Sequence, residues 1–137
     1  MPPSCLRYFS LLGFLLSATL GAADVAKITP AAAAALVAAH QAVLVDVREP
    51  AEWAETGVVT GAVLLPKSDF DGPQKGWKEF LAHTGDQQII LYCRSGKRAG
   101  VLGEALAAQG FKTANAGGYK DWEAAGLPVK KIDPVKK

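Results

Sequence analysis

The sequence predicts an α/β fold, an open parallel sheet of about five strands with helices on both faces. Three observations carry that expectation. Short apolar runs alternate with helix-like stretches from residue 24 onward. The stretch Ala42 to Val47 is apolar except for Asp46, with no polar alternation, as in a central parallel strand covered on both sides. The 137 residues, half of them apolar and a fifth charged, suffice for one domain with a hydrophobic core but hardly for two. A net charge of +2 is too small for a nucleic-acid-binding face, so no nucleic-acid partner is expected.

Taken in order, Val25 to Ile28 is a short strand candidate. Thr29-Pro30 opens a helix through Ala39, with a hydroxyl N-cap and proline at the first helical position. After the strand at 42–47, a short helix follows Pro50 and carries Glu52 and Trp53 until Gly57 stops it. Val63 to Leu65 is a buried strand closed by Pro66, and Gln74 to His83 is a helix with Trp77, Phe80 and Leu81 on one face. Ile89 to Tyr92 is a strand that delivers Cys93 at its carboxyl end. Val101, Leu102, Ala105 and Leu106 recur at helical spacing up to a glycine cap at Gly110. Lys112 to Ala116 is the last strand, Gly117-Gly118 a turn, and Tyr119 to Ala125 the last helix.

Residues 1–23 have the layout of a secretory signal peptide: Arg7, an apolar run from Tyr8 to Leu20, then Gly21 and Ala23 as small residues before a cleavage point at Asp24. The apolar run falls short of the roughly 20 residues a spanning helix needs, so no stable membrane insertion is expected once the leader is cleaved. The expected organisation is a leader over 1–23, one domain over 24–129 and a flexible basic tail over 130–137. Such a leader implies export, with a periplasmic location as the expectation. Cleavage would remove Cys5 and leave Cys93 as the one thiol of the mature chain, unable to form an internal disulfide.

In such sheets ligands sit beyond the carboxyl ends of the strands, which is where Cys93 falls. The stretch Cys93-Arg94-Ser95-Gly96-Lys97-Arg98 joins a buried strand to a helix. Backbone N–H groups of the loop and of the first helical turn lack internal partners, so they can form an anion cradle around the sulfur. The helix dipole and the cations Arg94, Lys97 and Arg98 favour a thiolate there, and Gly96 permits the positive φ that a tight concave loop needs.

Cys-x-x-Gly-x-Arg between a strand and a helix resembles the active-site loop of rhodaneses. Leu44 to Trp53 (LVDVREPAEW), with Gly61-Ala62 and Pro66, resembles an upstream signature of that family. Gly117-Gly118, Trp122, Gly126 and Pro128-Val129 resemble its closing one. Val58 departs from the His that many members carry at that position. The resemblance implies a rhodanese-like sheet and a single-domain thiosulfate sulfurtransferase with no cofactor and no metal. Cys93 would be the nucleophile, and Arg94, Ser95, Gly96, Lys97 and Arg98 would bind a small anionic sulfur donor. The acceptor would be cyanide or another thiophile. The alternative is a persulfide carrier whose acceptor is a protein. The Cys-x4-Arg spacing is shorter than the Cys-x5-Arg of cysteine phosphatases, which disfavours a small phosphatase or arsenate reductase.

Other polar residues have structural readings. Asp46 is expected to accept hydrogen bonds from nearby backbone, or Arg48 to pair with Glu52. His40 and His83 have no neighbours at metal-ligand spacing. Trp53, Trp77 and Trp122 are expected in the core.

Overall fold

Because the strand Gln88–Cys93 is buried from Ile89 to Cys93, its alternating side chains must be covered on both sides of the sheet, and they are. The computed structural model describes residues 25–133; the expected leader with its cleavage point, and residues 134–137, lie outside them. The elements are β1 (Ala26–Lys27), α1 (Pro30–Ala38), β2 (Ala42–Asp46), α2 (Pro50–Thr56), β3 (Val58–Val59), β4 (Val63–Leu64), α3 (Lys67–Asp71) and α4 (Lys75–His83). They continue with β5 (Gln88–Cys93), α5 (Lys97–Ala108), β6 (Thr113–Gly118), α6 (Tyr119–Ala124) and β7 (Val129–Lys130). A five-stranded sheet in the order β1-β6-β5-β2-β4 is parallel throughout. Among the described residues no helix is long and apolar enough to cross a membrane.

The two faces of the sheet have separate cores. Leu44, Ile90, Tyr92 and Ala114 pack with Ala33 of α1 and Trp122 of α6. Val45, Ile89, Leu91 and Cys93 pack with Trp77 of α4 and Leu102 and Leu106 of α5. Period-two alternation along β5 thus directs the Cys93 side chain toward the α4–α5 face. Helix starts follow local chemistry. Thr29 Oγ1 accepts the Ala32 N–H at 3.2 Å ahead of Pro30, and the Asp69 carboxylate accepts from the N–H groups of Lys75, Gly76 and Trp77.

Three expectations change. β3 and β7, absent from the sequence reading, form an antiparallel pair with Val59 opposite Val129 and Val58 opposite Lys130. The ordered chain therefore runs past the expected boundary at 129, and Lys130 is not free tail. Gly117-Gly118 is the end of β6 and not a turn after it. Two-residue strands are too short to show a period, and a strand ending in two glycines lacks the side chains that would announce it.

A buried polar network lies under the carboxyl edge of the sheet. Asp46 is 0% exposed and Arg48 2%, and Arg48 Nη2 donates to Asp46 Oδ2 at 2.7 Å. Arg48 also donates to Thr56 Oγ1 and to the Gly57 carbonyl, both at 2.8 Å, and its guanidinium lies 4.5 Å from the centre of the Tyr119 ring. Burial disfavours the charge on Arg48, but the Asp46 carboxylate outweighs it and holds the guanidinium protonated. The Tyr92 hydroxyl donates to Asp46 Oδ2 at 2.6 Å and accepts the Val59 N–H at 3.1 Å. Burial, reinforced by Asp46, keeps that hydroxyl neutral. Tyr92→Phe deprives a buried carboxylate and a buried N–H of one partner, so a loss of about 1–3 kcal/mol is expected. Urea unfolding should show it as a lower midpoint with an unchanged slope.

Candidate active site

Strand register creates the room for the site. Leu91 of β5 is paired with Asn115 of β6, yet Cys93 is paired with Gly118, so β6 holds one extra residue over the last stretch. A bulge of this kind bends the strand and breaks the ladder, here beside Cys93. The chain then turns through Arg94, Ser95 and Gly96 into α5, with Gly96 as N-cap at φ +94°. The loop rests directly on the Gly117-Gly118 backbone. A Cβ built on Gly118 would lie 2.3 Å from the Arg94 carbonyl oxygen, so no side chain fits there.

The Gly96 N–H donates to Cys93 Sγ at 3.0 Å. Of the cradle expected from the sequence, this is the hydrogen bond to sulfur among the described residues. The sulfur is not at the loop's mouth, however. Cys93 is 0% exposed and lies beneath the loop, because the strand alternation points it into the α4–α5 core.

The other residues expected at the site separate into two groups. Arg94, Ser95 and Lys97 are exposed, whereas Gly96 is buried against the sulfur. Arg98 is partly buried and makes a bidentate pair with Glu52 of α2, with Nη1 to Oε2 at 2.7 Å and Nη2 to Oε1 at 2.8 Å. The pairing of Arg48 with Glu52 considered from the sequence does not form: Arg48 goes to Asp46, and Glu52 reaches across to the loop helix. Asp46 does accept a backbone hydrogen bond, from the Arg48 N–H at 2.9 Å. The Arg98 guanidinium, and after it the Glu49 N–H, hold the Glu52 carboxyl down at about 2 against the opposing effect of burial. Arg98 is in turn held protonated, first by Glu52 and also by its proximity to Cys93.

Two cavities border the loop. One, of about 190 Å³, lies between Arg94, Tyr119 and Lys120 and reaches Arg48 and Glu52. The other, of about 470 Å³, lies on the side of Ser95, Gly96 and Lys97 and reaches Asn115. Cys93 lines neither, in keeping with its burial. Two contributors escaped the sequence reading. Glu52 had two arginines to choose from, and Asn115 stood in a strand with no chemical neighbour in sequence.

The comparisons with known proteins agree with this fold. Residues 29–125 match the model of the Rhodanese-like domain, and the chain belongs to the rhodanese family of sulfurtransferases. It is 40% identical over 86 residues to YtwF of Bacillus subtilis (strain 168), provisionally named a sulfurtransferase, a match that covers 62% of this chain and 77% of that one. Among solved structures it is similar to a Rhodopseudomonas palustris protein of unknown function described as a possible tyrosine phosphatase. That match has 26% identity and a TM-score of 0.65, covering 77% of this chain and 85% of the other. The polysulfide-sulfur transferase of Wolinella succinogenes shares the fold at 23% identity and a TM-score of 0.63, with 85% of each chain covered.

Gly118→Ala forces the Arg94 carbonyl to move, so a loss of about 1–3 kcal/mol is expected, read as a lower thermal midpoint in calorimetry. A second expectation concerns acid. A carboxyl held at about 2 in the fold against an ordinary 4.5 contributes stability that is complete above pH 4.5 and is lost as pH falls to 2. Glu52→Gln should therefore cost about 1 kcal/mol near pH 6, allowing for solvent screening of a partly exposed pair, and nothing near pH 2. Urea midpoints of both proteins across that range decide it.

Proposed function

We propose that the protein transfers sulfane sulfur from thiosulfate or a similar small anion to cyanide or a thiol, through a persulfide on Cys93. The observation that carries this reading is the Gly96 N–H on Cys93 Sγ at the start of α5, in a chain of this family. The thiolate of Cys93 attacks the outer sulfur of thiosulfate, a new S–S bond forms, and sulfite leaves with the electron pair of the bond that breaks. The acceptor then attacks the outer sulfur of the persulfide, and the thiolate is released; with cyanide the product is thiocyanate. Both steps are exchanges at divalent sulfur, with no net oxidant or reductant.

The Gly96 N–H and the first turn of α5 stabilise the anionic sulfur in the resting and persulfide states. Arg94 and Lys97, exposed on either side of the loop, draw in the anionic donor. Arg98, committed to Glu52, contributes its field and fixes the first turn of α5 against α2. Because the sulfur is covered, the loop must open locally for each transfer. A leader over residues 1–23 would place the reaction outside the cytoplasm, in a periplasm.

The test is the intact mass of the protein after incubation with thiosulfate, beside Cys93→Ser. Gain of one sulfur atom by the wild type alone, lost again on adding cyanide, is the expected result. No gain with a demonstrably free thiol would defeat the thiosulfate reading. Cys93-dependent turnover of an aryl phosphate would replace it with a phosphatase.

A further inference from the structure

We propose that Asn115 is a positioning residue for the Cys93 sulfur: its amide clamps the loop to β6 and thereby aims the Gly96 N–H at Sγ. Its consequence for turnover rests on the sulfurtransferase reading above. Asn115 Nδ2 donates to the Gly96 carbonyl at 2.8 Å, and Oδ1 accepts the Gly117 N–H at 2.9 Å. A backbone carbonyl can only accept and a backbone N–H can only donate, so this pair of partners fixes the amide's orientation. The side chain spans from the loop apex to the bulge in β6 and sets the distance between them.

Gly96 needs such an anchor because it has none of its own. Its φ of +94° belongs to a region that side chains disfavour, and a Cβ there would lie 3.2 Å from Gly117 Cα. With no side chain to pack, Gly96 is held by its hydrogen bonds. Its N–H goes to Cys93 Sγ, and its carbonyl takes both the Gly100 N–H at 2.9 Å and Asn115 Nδ2. The Gly100 bond belongs to α5 and moves with it. Apart from the bond to the sulfur itself, Asn115 is thus the side chain that ties this residue to the sheet. Bonds to an anionic acceptor weaken steeply as the donor swings off line, so a modest rotation of Gly96 costs the sulfur its partner. Arg98 of α5, held by Glu52 of α2, is a charged group near the sulfur, and the variants below leave both in place.

Asn115→Ala removes both bonds. Asn115→Asp keeps the shape and the acceptor for Gly117 but sets a carboxylate oxygen against the Gly96 carbonyl. Three readouts are taken on the full chain: the pH midpoint of Cys93 alkylation by iodoacetamide, single-turnover sulfur loading from thiosulfate by intact mass, and the thermal midpoint. In Asn115→Ala the alkylation midpoint should rise by about one pH unit, the worth of one lost hydrogen bond to the anion. The limiting loading rate should fall about tenfold, with the half-saturating thiosulfate concentration changed less than about twofold. Asn115→Asp should load more slowly at pH 8 than Asn115→Ala, despite being the closer match in shape. An unchanged alkylation midpoint in Asn115→Ala, whatever its thermal midpoint, overturns the proposal, as does wild-type loading in Asn115→Asp. Should Asn115→Ala fail to fold, Asn115→Asp decides by the same two measurements. If the wild type takes no sulfur from thiosulfate, the functional reading fails, and the alkylation midpoints still decide the clamp.

Discussion

The site depends on backbone meeting backbone. The Arg94 carbonyl approaches Gly118 so closely that a single methyl group on that residue would collide with it. That contact limits how closely the loop can approach the end of β6. The extra residue in β6 is what brings Gly118, rather than Gly117, opposite Cys93. The glycine pair, the bulge and the loop are one construction, each in contact with the next.

Beneath it lies a second construction of opposite character. Asp46, Arg48 and Tyr92 are fully or almost fully buried, where an uncompensated charge would be costly, and each is satisfied by the others or by nearby backbone and hydroxyl groups. The network joins β2, the end of α2, β3 and β5, and the Arg48–Tyr119 contact extends it to α6. A buried ion pair is weak evidence for stability in itself, but one that bonds four elements in a single geometry specifies how their ends are arranged. It gives the carboxyl edge of the sheet a rigid base, while the loop above is held by a few bonds to glycine.

Much of this was legible in the sequence, for physical reasons. The apolar run of β2, the capping pair Thr29-Pro30 and the strand-loop-helix order around Cys93 are local patterns, and local patterns are what a sequence displays. The failures were non-local. β3 and β7 exist because residues 58 and 130 meet, which no local period announces. Glu52 lies closer in sequence to Arg48 than to Arg98, and only the packing of α2 against the start of α5 decides between them. The burial of the sulfur follows from the parity of β5 and the thickness of the helices over it, a three-dimensional fact. Asn115 was overlooked because its two partners are backbone atoms, and backbone atoms carry no signature in a sequence.

A thiol beneath a loop has an appetite set by time as well as by chemistry. Its rate with any reagent is the product of its intrinsic nucleophilicity and the fraction of time the cover stands aside. On the proposed reading, a brief opening would admit a small anion more readily than a folded protein. The cover would then discriminate by size before any contact is made. It would also hinder bulky thiols that otherwise trap the sulfur as a mixed disulfide.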